Sequence, residues 1–135
     1  MSIIEIPNVL SKTQCKILRT KANYFRRATM YENKKEFVSD TRTCYSSGLQ
    51  EDSFTIYVDR LIKQKVFEMT NSTFLNSFIH IIRYKENQFI SKHSDALDDE
   101  DLVSTGERVF QRIYTGMVYL NDDFEGGDTR FDELT

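Results

Sequence analysis

Residues 84–95 read Tyr-Lys-Glu-Asn-Gln-Phe-Ile-Ser-Lys-His-Ser-Asp and end in a His-X-Asp pair, His93 and Asp95. On an extended chain, side chains two residues apart point to the same side. An imidazole and a carboxylate placed in this way are two of the three ligands of the 2-His-1-carboxylate face, which binds Fe(II) and leaves other coordination positions open. No histidine follows the pair to act as the third ligand. The sequence therefore indicates an iron site and carries only two of the three protein ligands.

The sequence on either side of this pair is typical of β-structure. Residues 78–84 and 108–120 are rich in β-branched and aromatic side chains, which predicts two strands. Between them lies an acidic connection at residues 96–107. Its acidic run at residues 98–101 is expected to be a solvated loop, with a mobile lid over the iron or an attractant for a basic peptide as alternatives. A turn is predicted at residues 121–123, and the glycines at 126–127 favour another with positive φ.

The N-terminal half has the pattern of helices. After a short apolar stretch at residues 3–6, predicted to be a strand, Ser-Lys-Thr-Gln at residues 11–14 forms a capping-box pattern. Apolar residues at helical spacing predict an amphipathic helix over residues 12–27 and a second helix over 53–68. A polar stretch separates the two helices, and Asn71 is expected just past the end of the second. Helices followed by strands indicate an α+β domain or a helix-supported all-β domain.

Composition narrows the class of protein. A chain of 135 residues is long enough for one domain, and 39% hydrophobic with 13% aromatic residues argues against disorder. A net charge of −3 gives no basic field for nucleic acid. No segment approaches the ~20 apolar residues of a membrane span, and residues 1–10 lack the pattern of a signal peptide. With Cys15 and Cys44 at no metal-type spacing, we expect reduced thiols in a cytoplasmic protein.

The order of motifs resembles the prolyl 4-hydroxylase-like branch of the Fe(II)/2-oxoglutarate-dependent dioxygenases. That family shows Tyr-X-X-Gly-Gln-X-Tyr-X-X-His-X-Asp, then Arg-X-X-Thr, Tyr-Leu-Asn and Gly-Gly-Glu-Thr-X-Phe. The matching positions here are Tyr84, Gln88, His93, Asp95, Arg112, Thr115, Tyr119, Leu120, Asn121, Gly126, Gly127, Thr129 and Phe131. Asn87, Phe89 and Asp128 depart from the pattern, and Asn87 must adopt a glycine-like backbone, which asparagine tolerates well.

The resemblance implies a role for each matching residue. His93 and Asp95 would bind Fe(II). Tyr84 and Thr129 would donate hydrogen bonds to the distal carboxylate of 2-oxoglutarate. Arg112 would lie at the mouth of the site and bind backbone carbonyls of a peptide substrate. The structural alternatives stay open: a surface histidine beside an acidic loop, a strand tyrosine with its hydroxyl at the rim, and an ordinary strand threonine and arginine.

The distal part of the family's site does not follow in this sequence. His80, the other histidine, lies in an apolar stretch before the metal pair, so we expect a core histidine rather than a ligand. Nothing after Thr129 supplies the distal histidine or the lysine or arginine that pairs with 2-oxoglutarate. We therefore expect residues 1–135 to form one partial domain, with helical support at 1–70 and strands of a double-stranded β-helix, or jelly-roll, at 77–135. Its later strands would lie in a longer enzyme.

The function implied by the resemblance is hydroxylation of a peptidyl residue, expected to be proline, by O2 and 2-oxoglutarate, with Fe(II) as the metal and ascorbate as the reductant. The expected partner is a peptide or protein substrate, not nucleic acid or a membrane. The alternative is a non-catalytic interaction module or pseudo-enzyme fragment, inactive alone, whose exposed strand edge pairs with a second copy. A structural metal in a cupin-like barrel with hydrolase or isomerase activity is a third hypothesis. The matches at Tyr84, the glycine pair and Thr129 argue against it.

Overall fold

The computed structural model describes residues 3–32, 35–72, 77–95 and 114–131. These residues form two helices and short antiparallel strands. The elements in chain order are α1 (Lys12–Thr20), β1 (Arg26–Arg27), β2 (Met30–Glu32), β3 (Lys35–Phe37), β4 (Tyr45–Gly48), α2 (Ser53–Thr70) and β5 (His80–Arg83). This mixture of helix and antiparallel sheet confirms the α+β class. Closure into a jelly-roll and the division of the chain at residues 70–77 remain predictions.

The first helix begins where the sequence predicts and ends early. The Gln14 amide donates to Ser11 Oγ (3.0 Å) and the Ser11 amide donates to Gln14 Oε1 (2.9 Å), which confirms the capping box. The helix ends at Thr20 rather than at residue 27. Beyond it the chain pairs with the end of β4, where the Asn23 amide donates to the Gly48 carbonyl (3.0 Å). This tertiary pairing overrides the helical spacing of the following residues.

The second helix matches the prediction closely. It covers Ser53–Thr70, and its N-cap Asp52 accepts a hydrogen bond from the Thr55 amide (2.9 Å). Lys21 forms an ion pair with Asp52 (2.8 Å), and that contact together with the Thr55 amide lowers the pKa of Asp52. Asn71 follows the helix with φ of 57°, the left-handed conformation expected of a residue that ends a helix. The ion pair joins the end of α1 to the start of α2.

The strands form an antiparallel sheet with the order β1-β4-β5 and a separate β2-β3 hairpin. Tyr45 pairs with Arg83 and Gly48 pairs with His80 across the β4-β5 ladder. Four of these strands lie between the helices. The strand β1 lies at the end of the stretch predicted as the first helix, and β2, β3 and β4 lie in the stretch predicted only as polar. Each is two to four residues long, too short for a period-two pattern to stand out. The sheet therefore begins well before residue 77.

The core is small and joins both helices to the sheet. The buried cluster comprises Leu10, Leu18, Leu49, Val58 and Ile81. In β5, side chains alternate in burial, so that Ile81 faces this core while the neighbouring positions are exposed.

Two predictions about exposed apolar stretches were wrong. His80 is exposed rather than a core histidine, because it lies on the outward side of β5. Residues 3–6 are not a strand, and Ile3, Ile4 and Ile6 are exposed, since no partner strand lies beside them within the described residues.

The expected strand at residues 108–120 is described only from residue 114. Residues 114–120 form no strand ladder with another described segment, and residues 108–113 lie outside the described ranges. Within those ranges, neither helix is long and apolar enough to cross a membrane.

Candidate functional site

The loop that follows β5 is shaped by its own polar side chains. The Lys85 amide donates to Gln88 Oε1 (2.8 Å), and the Gln88 amide donates to the Lys85 carbonyl (3.0 Å), which closes a tight turn. Asn87, inside this turn, has φ of 64°. The glycine-like backbone expected at Asn87 is therefore confirmed. The turn lies between β5 and the stretch that leads to His93.

An extended segment before β4 holds the second half of the loop. The Thr43 amide donates to the Phe89 carbonyl (2.8 Å), and the Phe89 amide donates to Thr43 Oγ1 (2.9 Å). Two residues further along, the Ser91 amide donates to the Thr41 carbonyl (2.7 Å). These contacts act as a short ladder, which fixes the backbone just ahead of His93.

The His-X-Asp pair converges, as alternation on an extended chain predicts. His93 Nε2 lies 3.0 Å from Asp95 Oδ1, and His93 Nδ1 lies 2.8 Å from the Ser91 carbonyl oxygen. Both side chains are partly open to solvent, with 37% and 47% of their surface exposed. An imidazole that donates Nδ1–H to Ser91 presents the Nε2 lone pair towards Asp95.

This arrangement fits two neighbouring ligands of one metal ion. Neighbouring ligands of an octahedral ion with bonds of about 2.1 Å lie about 3.0 Å apart, and the Nε2–Oδ1 distance is 3.0 Å. A metal-bound histidine usually donates its other ring N–H to a carbonyl or carboxylate, as His93 can to Ser91. Within the described residues no group of three or more His, Cys, Asp or Glu side chains could hold a metal. The pair is therefore a fitting but incomplete ligand set.

Tyr84 is positioned by the register of the β4-β5 ladder. Because Tyr45 pairs with Arg83, the next pair outward brings Cys44 opposite Tyr84 on the other face of the sheet. The Arg83 guanidinium stacks over the Phe25 and Tyr45 rings at 4.2 and 5.3 Å, which holds the end of the strand in place.

The tyrosine hydroxyl has a perturbed pKa. Although 49% of the Tyr84 side chain is exposed, burial of its polar end, followed by hydrogen bonding with the fully buried Cys44 thiol, raises the pKa of Tyr84 to about 12. The phenol therefore stays protonated at neutral pH and remains a hydrogen-bond donor.

A second tyrosine, Tyr119, to which the sequence assigned no role, is hydrogen-bonded through its hydroxyl to Thr129 Oγ1. Tyr119 also contributes to the raised pKa of Tyr84. Gly126 and Gly127 have φ of 73° and 67°, so the predicted turn with positive φ is confirmed. This turn returns the chain so that Thr129 reaches Tyr119. The Tyr-Leu-Asn motif was the signal that could have identified Tyr119.

The carboxylate of Asp95 has a further partner, Thr115, which matches the Arg-X-X-Thr motif and to which the sequence assigned no role. Thr115 Oγ1 donates to Asp95 Oδ2 (2.8 Å) across 20 residues of sequence. Thr115 and Tyr119 are four residues apart on a chain that can span at most about 14 Å. The segment from residue 114 to 120 therefore contacts Asp95 through Thr115 and Thr129 through Tyr119. Arg112 and the acidic run at residues 98–101 lie outside the described residues.

The chain is similar to proteins described as prolyl 4-hydroxylases. It is 31% identical to Prolyl 4-hydroxylase 1 of Arabidopsis thaliana over 96% of this chain and 46% of that protein. It is 29% identical to Probable prolyl 4-hydroxylase 10 of the same plant over 92% of this chain and 43% of that protein. A Putative prolyl 4-hydroxylase of Acanthamoeba polyphaga mimivirus is 36% identical over 42% of this chain and 24% of that protein. The chain thus spans less than half the length of these relatives. No protein-family model and no solved structure matches it.

Proposed function

We propose that this chain, which belongs to a prolyl 4-hydroxylase-like family, is part of a hydroxylase that depends on Fe(II) and 2-oxoglutarate. The enzyme would act on a peptidyl residue, namely proline. The observation that carries this proposal is the convergence of His93 Nε2 and Asp95 Oδ1 at 3.0 Å, with Nδ1 turned to the Ser91 carbonyl. The names of the relatives indicate the same reaction class.

In this proposal the residues of the chain bind and orient. His93 and Asp95 hold the metal, and the Ser91 carbonyl sets the direction of the imidazole. When bound, Fe(II) and 2-oxoglutarate supply the oxidising chemistry, in which O2 gives one oxygen atom to the new hydroxyl group and one to succinate, with loss of CO2. Tyr84, a phenol that is protonated at neutral pH, donates a hydrogen bond from its hydroxyl to the 2-oxoglutarate carboxylate.

Thr129 is proposed to share that carboxylate with Tyr84. Tyr119 aligns the Thr129 hydroxyl through their hydrogen bond. Hydroxyl donors would then line this end of the site. Ascorbate belongs to the same proposal as the reductant that restores oxidised iron. Arg112 is proposed to bind peptide carbonyls of the substrate.

Two parts of the proposed site come from outside residues 1–135. These are the distal histidine and the basic residue that forms a charge-assisted pair with 2-oxoglutarate. The chain corresponds to 46% of the length of its Arabidopsis relative, which leaves room for both in a longer protein. Hydroxyl donors alone would bind the cosubstrate more weakly than hydroxyl donors together with a lysine or arginine. A neutral hydroxyl lacks the positive charge that a lysine or arginine brings to the 2-oxoglutarate carboxylate.

Succinate release tests the proposal. The protein, completed by sequence that supplies the distal histidine, is incubated with Fe(II), ascorbate, 2-oxoglutarate and proline-containing peptides. Succinate should form with the peptide, and Asp95→Ala should reduce it to background because the carboxylate ligand is lost. The control Asp40→Ala removes an exposed carboxylate from a neighbouring segment and should leave succinate release unchanged. Turnover that persists in Asp95→Ala would rule out the proposed metal site.

One observation favours the second candidate function, a non-catalytic interaction module. Several large apolar side chains of the C-terminal segment are exposed, namely Tyr114, Met117, Tyr119, Phe124 and Phe131. A surface of this kind is typical of a protein interface. Light scattering and a Co(II) titration of the 135-residue chain separate the two functions. An oligomer without metal affinity supports the interaction module, whereas metal binding that depends on Asp95 supports the hydroxylase.

A further inference from the structure

We infer that Thr115 is a positioning residue of the metal site, which holds the Asp95 carboxylate in the orientation that presents Oδ1 beside His93. The inference rests on the proposed function, since it assigns a role within the same site. The contact that carries it is the hydrogen bond from Thr115 Oγ1 to Asp95 Oδ2 at 2.8 Å.

The two oxygens of Asp95 have different partners. Oδ1 lies 3.0 Å from His93 Nε2, whereas Oδ2 accepts the hydroxyl proton of Thr115. Rotation of an aspartate about its last torsion is broad and roughly two-fold, so an unrestrained carboxylate exchanges its two oxygens freely. The hydroxyl removes this freedom, because rotation that moves Oδ2 away from Thr115 breaks the hydrogen bond. Oδ1 is then kept beside the imidazole nitrogen.

The hydrogen bond also sets the number of oxygens that a metal ion would receive. An ionised carboxylate can present both oxygens to one partner. With Oδ2 engaged by Thr115, a metal beside Oδ1 would receive a single oxygen from Asp95. This leaves more coordination positions for a cosubstrate and for O2, which is the requirement of a facial ligand set.

Each of the two metal ligands is therefore held by a polar group through the atom that faces away from the metal position. His93 Nδ1 faces the Ser91 carbonyl on its own loop, and Asp95 Oδ2 is held from a segment 20 residues further along the chain. Hydrogen-bond partners of metal ligands typically affect metal affinity by about 10- to 100-fold. Because 47% of the Asp95 side chain is exposed to water, we expect the lower end of that range for Thr115.

Cobalt binding by the protein completed with the distal histidine tests this role without any turnover. Co(II) prefers the same ligand types as Fe(II) and binds somewhat more tightly. Its dissociation constant is measured by calorimetry, and its visible absorption spectrum reports the coordination. Thr115→Val, which keeps the side-chain shape but removes the donor, should raise the dissociation constant about 10-fold. It should also change the spectrum as the second carboxylate oxygen becomes free to bind.

Three further variants make the result specific. Thr115→Ser restores the hydroxyl and should bring both the affinity and the spectrum back towards the unsubstituted protein. Thr20→Val removes a hydroxyl that donates to the Ile17 carbonyl in α1 and should alter neither. Asp95→Asn should abolish binding. Unchanged cobalt affinity and spectrum in Thr115→Val, with binding lost in Asp95→Asn, would overturn the role of Thr115 and leave the metal site standing. Unchanged binding in Asp95→Asn would overturn the metal site, and the role of Thr115 with it.

Discussion

Two of the segments that supply the candidate site are attached to the fold in different ways. Residues 80–83 belong to a three-stranded sheet, and their backbone ladder leads directly to Tyr84, which lies beside Cys44. Residues 114–131 form no ladder with another described segment. They are held by side-chain hydrogen bonds, such as that of Thr115 to Asp95, and by partly buried Val118 and Leu120. The same site is therefore built on one strongly and one weakly fixed support.

The difference has a consequence for mutations. A backbone ladder is hard to disrupt by changing one side chain, because every residue in it contributes hydrogen bonds that do not depend on side-chain identity. A segment held by side chains responds to single substitutions at its contacts. Single substitutions should therefore displace residues 114–131 more easily than they disrupt the sheet. Their effect on the overall stability should be smaller.

The largest contrast is expected from matched leucine truncations. Leu18→Ala removes a side chain that is 4% exposed in the central cluster and should lower the free energy of unfolding by about 3 kcal/mol. Leu120→Ala removes a partly buried side chain at the edge of that cluster and should cost about 1 kcal/mol. Urea denaturation measures both. Equal losses would show that the C-terminal segment is packed as firmly as the helices.

A smaller and more local effect is expected at the tether between α1 and the C-terminal segment. Arg19 Nη1 donates to the Leu120 carbonyl (3.0 Å), and its charge also helps to lower the pKa of Asp123, after the larger contribution of Asn121. Arg19→Met should destabilise the protein by about 1 kcal/mol or less and speed amide hydrogen exchange around Leu120.

Arg60→Met is the matched control for this substitution, since Arg60 is an exposed arginine of α2. It should leave amide exchange near Leu120 unchanged. Faster exchange in both variants, or in neither, would contradict a specific tether at Arg19.

The effect expected at the firmly held end of the site is confined to high pH. The pKa of Tyr84 is raised from 10.0 to about 12, so between these values the folded state keeps a proton that the unfolded state has lost. This contribution to stability is complete below pH 10 and is lost as the pH rises towards 12. Unfolding free energies measured across this range should therefore fall more for the unsubstituted protein than for Tyr84→Phe.

Ultraviolet difference titration provides the independent measurement. One tyrosine should ionise near pH 12, and Cys44→Ala should lower that value because a hydrogen-bond partner is removed. If all tyrosines titrate near the ordinary value, the polar end of Tyr84 is not buried beside Cys44, and the contrast between the two segments weakens.

Much of the local structure could be predicted because it depends on neighbours in sequence. The capping box at Ser11, the second helix, the left-handed residue Asn71 and the positive φ at Asn87 all arise from interactions within a few residues. The same holds for the convergence of His93 with Asp95, since alternation along an extended chain is a local property. The metal and cosubstrate roles themselves remain predictions.

The features that were missed depend on contacts between distant parts of the chain. The early end of α1 results from pairing with β4, and the exposure of His80 results from which face of β5 meets the helices. Neither partner is adjacent in sequence, and periodicity alone carries no information about which face another element will cover.

The α+β class, the helix caps, the turn before the metal pair and the order of the family's motifs could be predicted from residue order alone, because they follow from local sterics, capping chemistry and residue types. Folding placed Cys44 against Tyr84, Tyr119 beside Thr129 and Thr115 beside Asp95. These contacts depend on strand register and on how distant segments pack together. A hydrogen bond across 20 or more residues forms only when packing elsewhere brings its two ends together.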